Sequence, residues 1–201
     1  MPLVLRVPVR KTVERAYKPD PRRRLPRARY RKAPTRMASD SFDKKVVILG
    51  AGVIGTSIAY HLALKGVGAT LIDRAGLCPA ASGKAGGFLA LDWNDGTPLG
   101  PFARKSFEMH QELAKTLNLE SYRRLTCQAI AVEESPKPAT RKLANVEWVD
   151  LGVRGSRMMG NEETIAQVHP KHLTEAMFAA AAKMAGTTLR EGAVEGIEVD
   201  E

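Results

Sequence analysis

The chain has 201 residues, 44% of them hydrophobic and 26% charged, with a net charge of +9 and a pI near 9.8. Thirteen of its 31 Lys and Arg residues lie in residues 1–36 against only Glu14 and Asp20, so the remainder is slightly acidic, which argues against a basic nucleic-acid surface on the folded part. Cys78 and Cys127 form neither a C-x-x-C pair nor a disulfide framework, four scattered histidines give no metal-ligand spacing, and no run of about 18 apolar residues offers a membrane-spanning helix.

Residues 1–40 read as a basic Pro/Arg-rich leader, disordered or targeting, and residues 41–201 as one α/β domain. Pro2, Pro8, Pro19, Pro21, Pro26 and Pro34 interrupt any long helix in the leader, and it lacks the apolar stretch of a secretory signal. Three readings stand: a mitochondrial or plastid transit peptide, a disordered basic tail, and upstream sequence preceding an alternative start at Met37. The expected location is cytoplasmic unless the leader is a transit peptide. Two thiols without a scaffold fit a reducing compartment.

Residues 44–49 are expected to form a strand, about 54–65 a helix and 69–73 a second strand. Between the first two lies Gly50-Ala51-Gly52-Val53-Ile54-Gly55, a G-x-G-x-x-G turn. Its glycines serve the sharp turn, close approach of the backbone to a pyrophosphate, and packing of the helix on its strand. The helix N-terminus adds unpaired N–H groups and a positive dipole end. Asp73 ends the second strand 23 positions after Gly50, close to the spacing of an acid that accepts the ribose hydroxyls of a dinucleotide.

A Gly/Ala-rich loop follows, Ala80-Ala81-Ser82-Gly83-Lys84-Ala85-Gly86-Gly87. Three glycines in five positions lose much backbone entropy on ordering, which suggests positive φ or the close approach of a flat ligand. Residues 101–118 are expected to be helical, with Phe102, Ser106, Met109, Leu113 and Leu117 on one face and His110 as a satisfied surface histidine. Ala129–Val132 and Val146–Val149 are short strand candidates, with Trp148 expected to pack. Pro170 opens a second long helix whose buried stripe is Leu173, Met177, Ala180, Ala181 and Met184, ended by Gly186. His169 and His172 are expected in capping or surface roles. Residues 187–199 read as two strand pieces around a glycine turn. Alternation running to the last residues needs a partner strand, so the fold is expected to be C-terminally incomplete.

These features in order, V-V-I-L-G-A-G-V-I-G-T-S-I-A-Y-H-L at 46–62, I-D-R at 72–74, A-S-G-K-A-G-G-F-L-A at 81–90, A-R-K-S-F-E-M-H-Q-E-L-A at 103–114, A-Q-V-H-P-K-H-L-T at 166–174 and G-A-V-E-G-I at 192–197, resemble the FAD-dependent oxidoreductases of the D-amino-acid oxidase, glycine oxidase and sarcosine oxidase superfamily. The resemblance implies a Rossmann-like FAD-binding βαβ core with the start of an interleaved substrate domain. It implies FAD as cofactor, cradled by Gly50, Ala51, Gly52, Val53, Ile54 and Gly55, with Asp73 on the adenosine ribose where the family more often has Glu. Arg74 is then expected beside adenine. Ser82, Gly83, Lys84, Ala85, Gly86 and Gly87 are expected to line the pyrophosphate and approach the flavin, and the backbone of Val194 to recognise adenine. The implied reaction is hydride transfer to flavin from a carbon bearing an amine, in a small amine or amino acid. No catalytic residue is assigned, and neither metal nor nucleic acid is expected. Two alternatives remain open, an NAD-dependent dehydrogenase and a truncated, non-catalytic dinucleotide-binding fragment.

Overall fold

The computed structural model describes residues 5–6, 9–13, 45–133, 148–149 and 152–199. Among these residues, eleven strands and four helices run in the order β1 (Leu5–Arg6), β2 (Val9–Val13), β3 (Val46–Leu49), α1 (Val53–Leu64), β4 (Ala69–Asp73), α2 (Ala81–Lys84), β5 (Phe88–Ala90), α3 (Gly100–Thr116), β6 (Arg123–Arg124), β7 (Cys127–Glu133), β8 (Gly152–Gly160), β9 (Ile165–Gln167), α4 (Pro170–Ala185), β10 (Thr188–Val194) and β11 (Glu198–Val199). They fall into two compact units. The first draws its described residues from Met1–Gly87, Gln111–Ser121 and Val168–Glu201, and the second from Phe88–His110 and Tyr122–Gln167.

The first unit is built on a four-stranded sheet in the order β2-β10-β4-β3. β3, β4 and β10 are parallel, with Leu49 opposite Ile72 and Glu191 opposite Asp73, so the ends of the strands that carry the Gly-rich turn and Asp73 lie together. Parallel neighbours need crossovers, and here α1 and α4 supply them. Alanines make the close packing possible: Ala59 and Ala63 of α1 and Ala181 of α4 are buried with Phe178, Ile48, Ala69 and Leu71 in one cluster. Ile58 is 47% exposed, and the buried face of α1 runs through Gly55, Thr56, Ala59, Tyr60 and Ala63. The small residues win because they let the helix approach its neighbours. α4 follows the expected pattern, with Leu173, Met177, Ala180 and Ala181 buried, Pro170 in its first turn and Gly186 left-handed at its end. Among the described residues the other face of β3 is open, leaving Val47 and Leu49 exposed.

Two segments of the basic leader are strands. Val9–Val13 lies antiparallel along β10, and Leu5–Arg6 pairs with β11. Segments of the leader are thus among the partners of the alternating C-terminal segment. The two strand pieces expected over 187–199 are β10 and β11; β10 runs through Gly192, where the register with β2 shifts between Glu191 and Ala193, a bulge of the kind that an in-strand glycine accommodates.

The second unit holds a three-stranded antiparallel sheet, β5-β9-β6, and the hairpin partners β7 and β8. β8 and β9 were not legible in the sequence. The candidate strand at 146–149 lies partly outside the described residues, and its described part, Trp148 and Val149, is not strand; Trp148 is 70% exposed in a turn. In α3 the buried positions are Gly100, Phe107 and Ala114; Leu117 of the expected stripe, just past the helix, is buried at 4%, while Phe102 is 74% exposed. His110 Nδ1 lies 2.7 Å from the Ser106 carbonyl oxygen one turn back, as a satisfied helix histidine should.

Candidate functional site

Gly50 leaves β3 with φ of +101°, a conformation open to glycine, and its N–H bonds to the Ile72 carbonyl at 2.8 Å. The turn thus locks onto the end of β4. Gly55 is required for a different reason. A Cβ there would stand 2.0 Å from the Gly50 carbonyl oxygen and 3.2 Å from Ile48 Cγ2, so only glycine lets α1 begin this close to the strand it follows. At Gly52 a Cβ would meet only the Ser82 hydroxyl, at 2.9 Å.

Two side chains from outside the turn hold it. Asp73 Oδ2 accepts the Ala51 N–H at 3.0 Å while Oδ1 accepts the Ala75 N–H at 2.9 Å, so one carboxylate ties the Gly-rich turn to the loop after β4. Ser82 Oγ accepts the Val53 N–H at 3.0 Å, capping α1 from 29 residues away, where Gly52 at the N-cap has no side chain to do so. The Ala51 carbonyl in turn accepts the Cys78 N–H at 3.0 Å. Cys78 is 4% exposed and has a positive φ of 44°; burial, followed by the nearby Glu175 carboxylate, pushes its thiol up from the ordinary range.

After these contacts, the N–H groups of Gly52, Ile54 and Gly55 have no acceptor among the described residues. They cluster at the N-terminus of a 12-residue helix with no acidic residue in its first turn. Such an arrangement attracts a phosphate through donors and dipole together.

The Gly/Ala loop is not wholly a loop, since Ala81–Lys84 forms the short α2. Its glycines also divide. A Cβ on Gly83 would lie 2.2 Å from the Cys78 carbonyl oxygen, and one on Gly87 only 1.8 Å from that of Val168, so both serve contacts within the chain and not only a ligand. Gly86 alone has open space at its Cβ position. Ser82 is partly buried, while Lys84, Ala85 and Arg74 are exposed. Val194 ends β10 opposite Val9 of β2. The structure therefore brings Gly50–Gly55, Asp73 and Ser82 into one bonded cluster. His169 stands at the N-cap of α4 without a side-chain cap bond, its ring stacked on His172 at 3.9 Å. What the sequence did not reveal is the cap by Ser82 and the clamp by Asp73, for which strand-end placement was the only signal.

The clamp sets an expectation for stability. Asp73→Ala removes both acceptors and is expected to lower unfolding free energy by about 1–2 kcal/mol, with Asp73→Asn losing less because one carbonyl acceptor remains. Urea unfolding checks this; an unchanged midpoint in the alanine variant rules out the clamp.

A family model for FAD dependent oxidoreductases matches residues 45–201. A curated Schizosaccharomyces pombe protein described as a "putative oxidoreductase" is 32% identical over 171 residues, which are 80% of this chain and 44% of that protein. A Saccharomyces cerevisiae protein of the same description is 35% identical over 99 residues, 45% of this chain and 18% of that one. The chain thus spans less than half the length of the curated relatives it matches. Among solved structures, glycine oxidase from Bacillus cereus ATCC 14579 is similar with a TM-score of 0.54 and 23% identity over 73% of this chain and 46% of its own. L-amino acid deaminase from Proteus myxofaciens gives 0.54 and 15% over 94% and 43%. At these identities the likeness is one of fold.

Proposed function

The chain belongs to the FAD dependent oxidoreductase family, and from that premise we propose that its first unit binds FAD for oxidation of a carbon–nitrogen bond in a small amine or amino acid. The observation that carries the binding is the set of donors left at the start of α1. Gly52, Ile54 and Gly55 offer N–H groups to the pyrophosphate, and Gly52 has no side chain to block it. The Ser82 hydroxyl accepts from Val53, which leaves its own O–H to donate to a phosphate oxygen. Asp73 spends one lone pair of each oxygen on the backbone and keeps the others for ribose hydroxyls. The exposed Lys84 supplies positive charge near the anionic part, Arg74 lies on the adenine side, and Gly86 lets a flat ring approach the loop backbone. FAD, when bound, supplies the acceptor for the hydride and its electron pair. The similar solved structures include an oxidase of glycine and a deaminase of L-amino acids, which favours an amino-acid substrate for this chain as well.

Titration of the purified chain with FAD, read by quenching of flavin fluorescence, is expected to saturate and to be unaffected by NADH. Gly52→Ala combined with Ser82→Ala separates binding from folding. The clash at 2.9 Å is with the Ser82 hydroxyl, and Ser82 Cβ sits at an ordinary 3.7 Å, so the double variant is expected to fold, less stable by about 1 kcal/mol through loss of the Ser82 cap. Its FAD affinity is expected to fall about tenfold or more through lost approach and a lost hydroxyl. Unchanged affinity in the folded double variant, or competition by NADH, overturns the reading.

A further inference from the structure

β10 is supported unevenly along its length. β4 flanks it from Thr188 to Glu191, where Glu191 stands opposite Asp73, the last residue of β4. β4 goes no further, so Ala193 and Val194 project beyond its end. Their strand partner is the leader, with Ala193 opposite Arg10 and Val194 opposite Val9 of β2. Among the described residues no other strand pairs with them.

The change of support falls at Glu191. It stands opposite Val13 on one side and Asp73 on the other, so the leader, β10 and the acid that clamps the Gly-rich turn share one cross-strand row. The Glu191 carboxylate also lies against the loop after β4, where a Cβ on Gly76 would stand 3.1 Å from Oε1. Past this point β2 sets both Lys11 and Thr12 opposite Gly192, a bulge that bends the pair of strands. Pairing then resumes and continues to Leu5 and Arg6, opposite Val199 and Glu198. One leader segment thus runs antiparallel to residues 191–199 with its register kept to within one residue. Its sequence suits a strand, since Val7, Val9, Thr12 and Val13 are β-branched.

A strand end with a single partner frays when that partner leaves. Val194 is the position that the family resemblance sets against adenine through its backbone, and Asp73 the one it sets at the ribose. Recognition by backbone groups needs them held in place, and a frayed segment that the ligand must first order binds it more weakly. We propose that β2 is a strap that positions the adenosine end of the FAD site, so that docking of the leader and binding of FAD strengthen each other. The proposal rests on the FAD reading above. By linkage, whatever factor the docked strap adds to FAD affinity, FAD adds to docking of the strap. The pyrophosphate donors at the start of α1 are independent of it, because β3, β4 and Ser82 hold that turn.

In the full chain, Val9→Pro combined with Arg10→Pro breaks the strap without touching the Gly-rich turn, Asp73 or Ser82. Neighbouring N–H groups along a strand point to opposite sides, so one of the two prolines removes a ladder donor. FAD affinity is expected to fall about tenfold. Inorganic pyrophosphate, used to displace FAD, is expected to bind both chains equally. Arg10→Thr removes the same charge but keeps the strand, and is expected to bind FAD as the wild type does. In the wild-type chain, hydrogen exchange at the amides of β2, Ala193 and Val194 is expected to slow about tenfold on saturation with FAD, and this measurement decides the matter if the proline variant does not fold. Unchanged FAD affinity in the folded proline variant, parallel weakening of pyrophosphate, an equal loss in Arg10→Thr, or leader exchange indifferent to FAD each overturns the strap. A wild-type chain that binds no FAD defeats the FAD reading and the strap with it, whereas wild-type binding with an indifferent leader defeats the strap alone.

Discussion

Gly55→Ala is expected to destabilise the chain by about 2–3 kcal/mol and to abolish measurable FAD binding, because the added methyl overpacks the one contact that seats α1 on its strand. The Cβ would lie 2.0 Å from the Gly50 carbonyl oxygen, a backbone atom that cannot rotate aside. Gly50 is itself held, since its N–H is bonded to Ile72 and its φ is +101°. Relief must therefore come from α1 shifting outward. That shift stretches the Ser82 bond to the Val53 N–H and moves the donors of Gly52, Ile54 and Gly55 away from a common point. For a chain of this length, such a loss lowers Tm by about 4–12 °C. Thermal unfolding and FAD titration on the same sample check both halves. A variant that retains wild-type Tm sinks the steric account, and one that is destabilised but still binds FAD normally sinks the role of the helix start.

The three motif glycines are consequently not equivalent, although the sequence writes them alike. Gly50 is needed for its dihedral, Gly55 for its lack of volume, and Gly52 lies against a side chain that can be truncated. Spacing alone established that a strand, a turn and a helix meet here, because a buried strand followed by glycines and an amphipathic run has few other solutions. β3, β4, α1 and α4 were legible for that reason. β8 was not: its sequence, Gly-Val-Arg-Gly-Ser-Arg-Met-Met-Gly, has no apolar alternation, and its stability comes from pairing with β7. β9 is three residues long, too short for any period to register. The leader strands were hidden by the prolines and charges around them, and only the pairing with β10 and β11 reveals them. Long-range side-chain roles were equally invisible. Nothing local to Ser82 announces a helix cap 29 residues earlier, and Asp73 was placed correctly at its strand end without any sign that it also holds Ala51.

Gly87 and Gly86 turn the remaining ambiguity of the glycine loop into a measurement. Gly87→Ala is expected to be the more damaging of the pair, by about 3 kcal/mol or more, since it combines a positive φ with an overlap that nothing can relieve. Its φ is +69°, and a Cβ would fall 1.8 Å from the Val168 carbonyl oxygen and 3.0 Å from Pro170 Cδ. The Gly87 carbonyl also accepts the Val168 N–H at 3.0 Å, so the displaced backbone would lose that bond and disturb the entry to α4, whose N-cap is the next residue, His169. Poor soluble yield or a sharply lowered urea midpoint is the expected readout. Gly86→Ala meets nothing within 4 Å and is expected to change stability by no more than about 0.5 kcal/mol. Its effect belongs to the ligand: if FAD approaches the loop at this backbone, affinity falls while the midpoint stays. Undiminished FAD affinity in Gly86→Ala would remove the argument for a flavin contact at this backbone and would move that contact elsewhere.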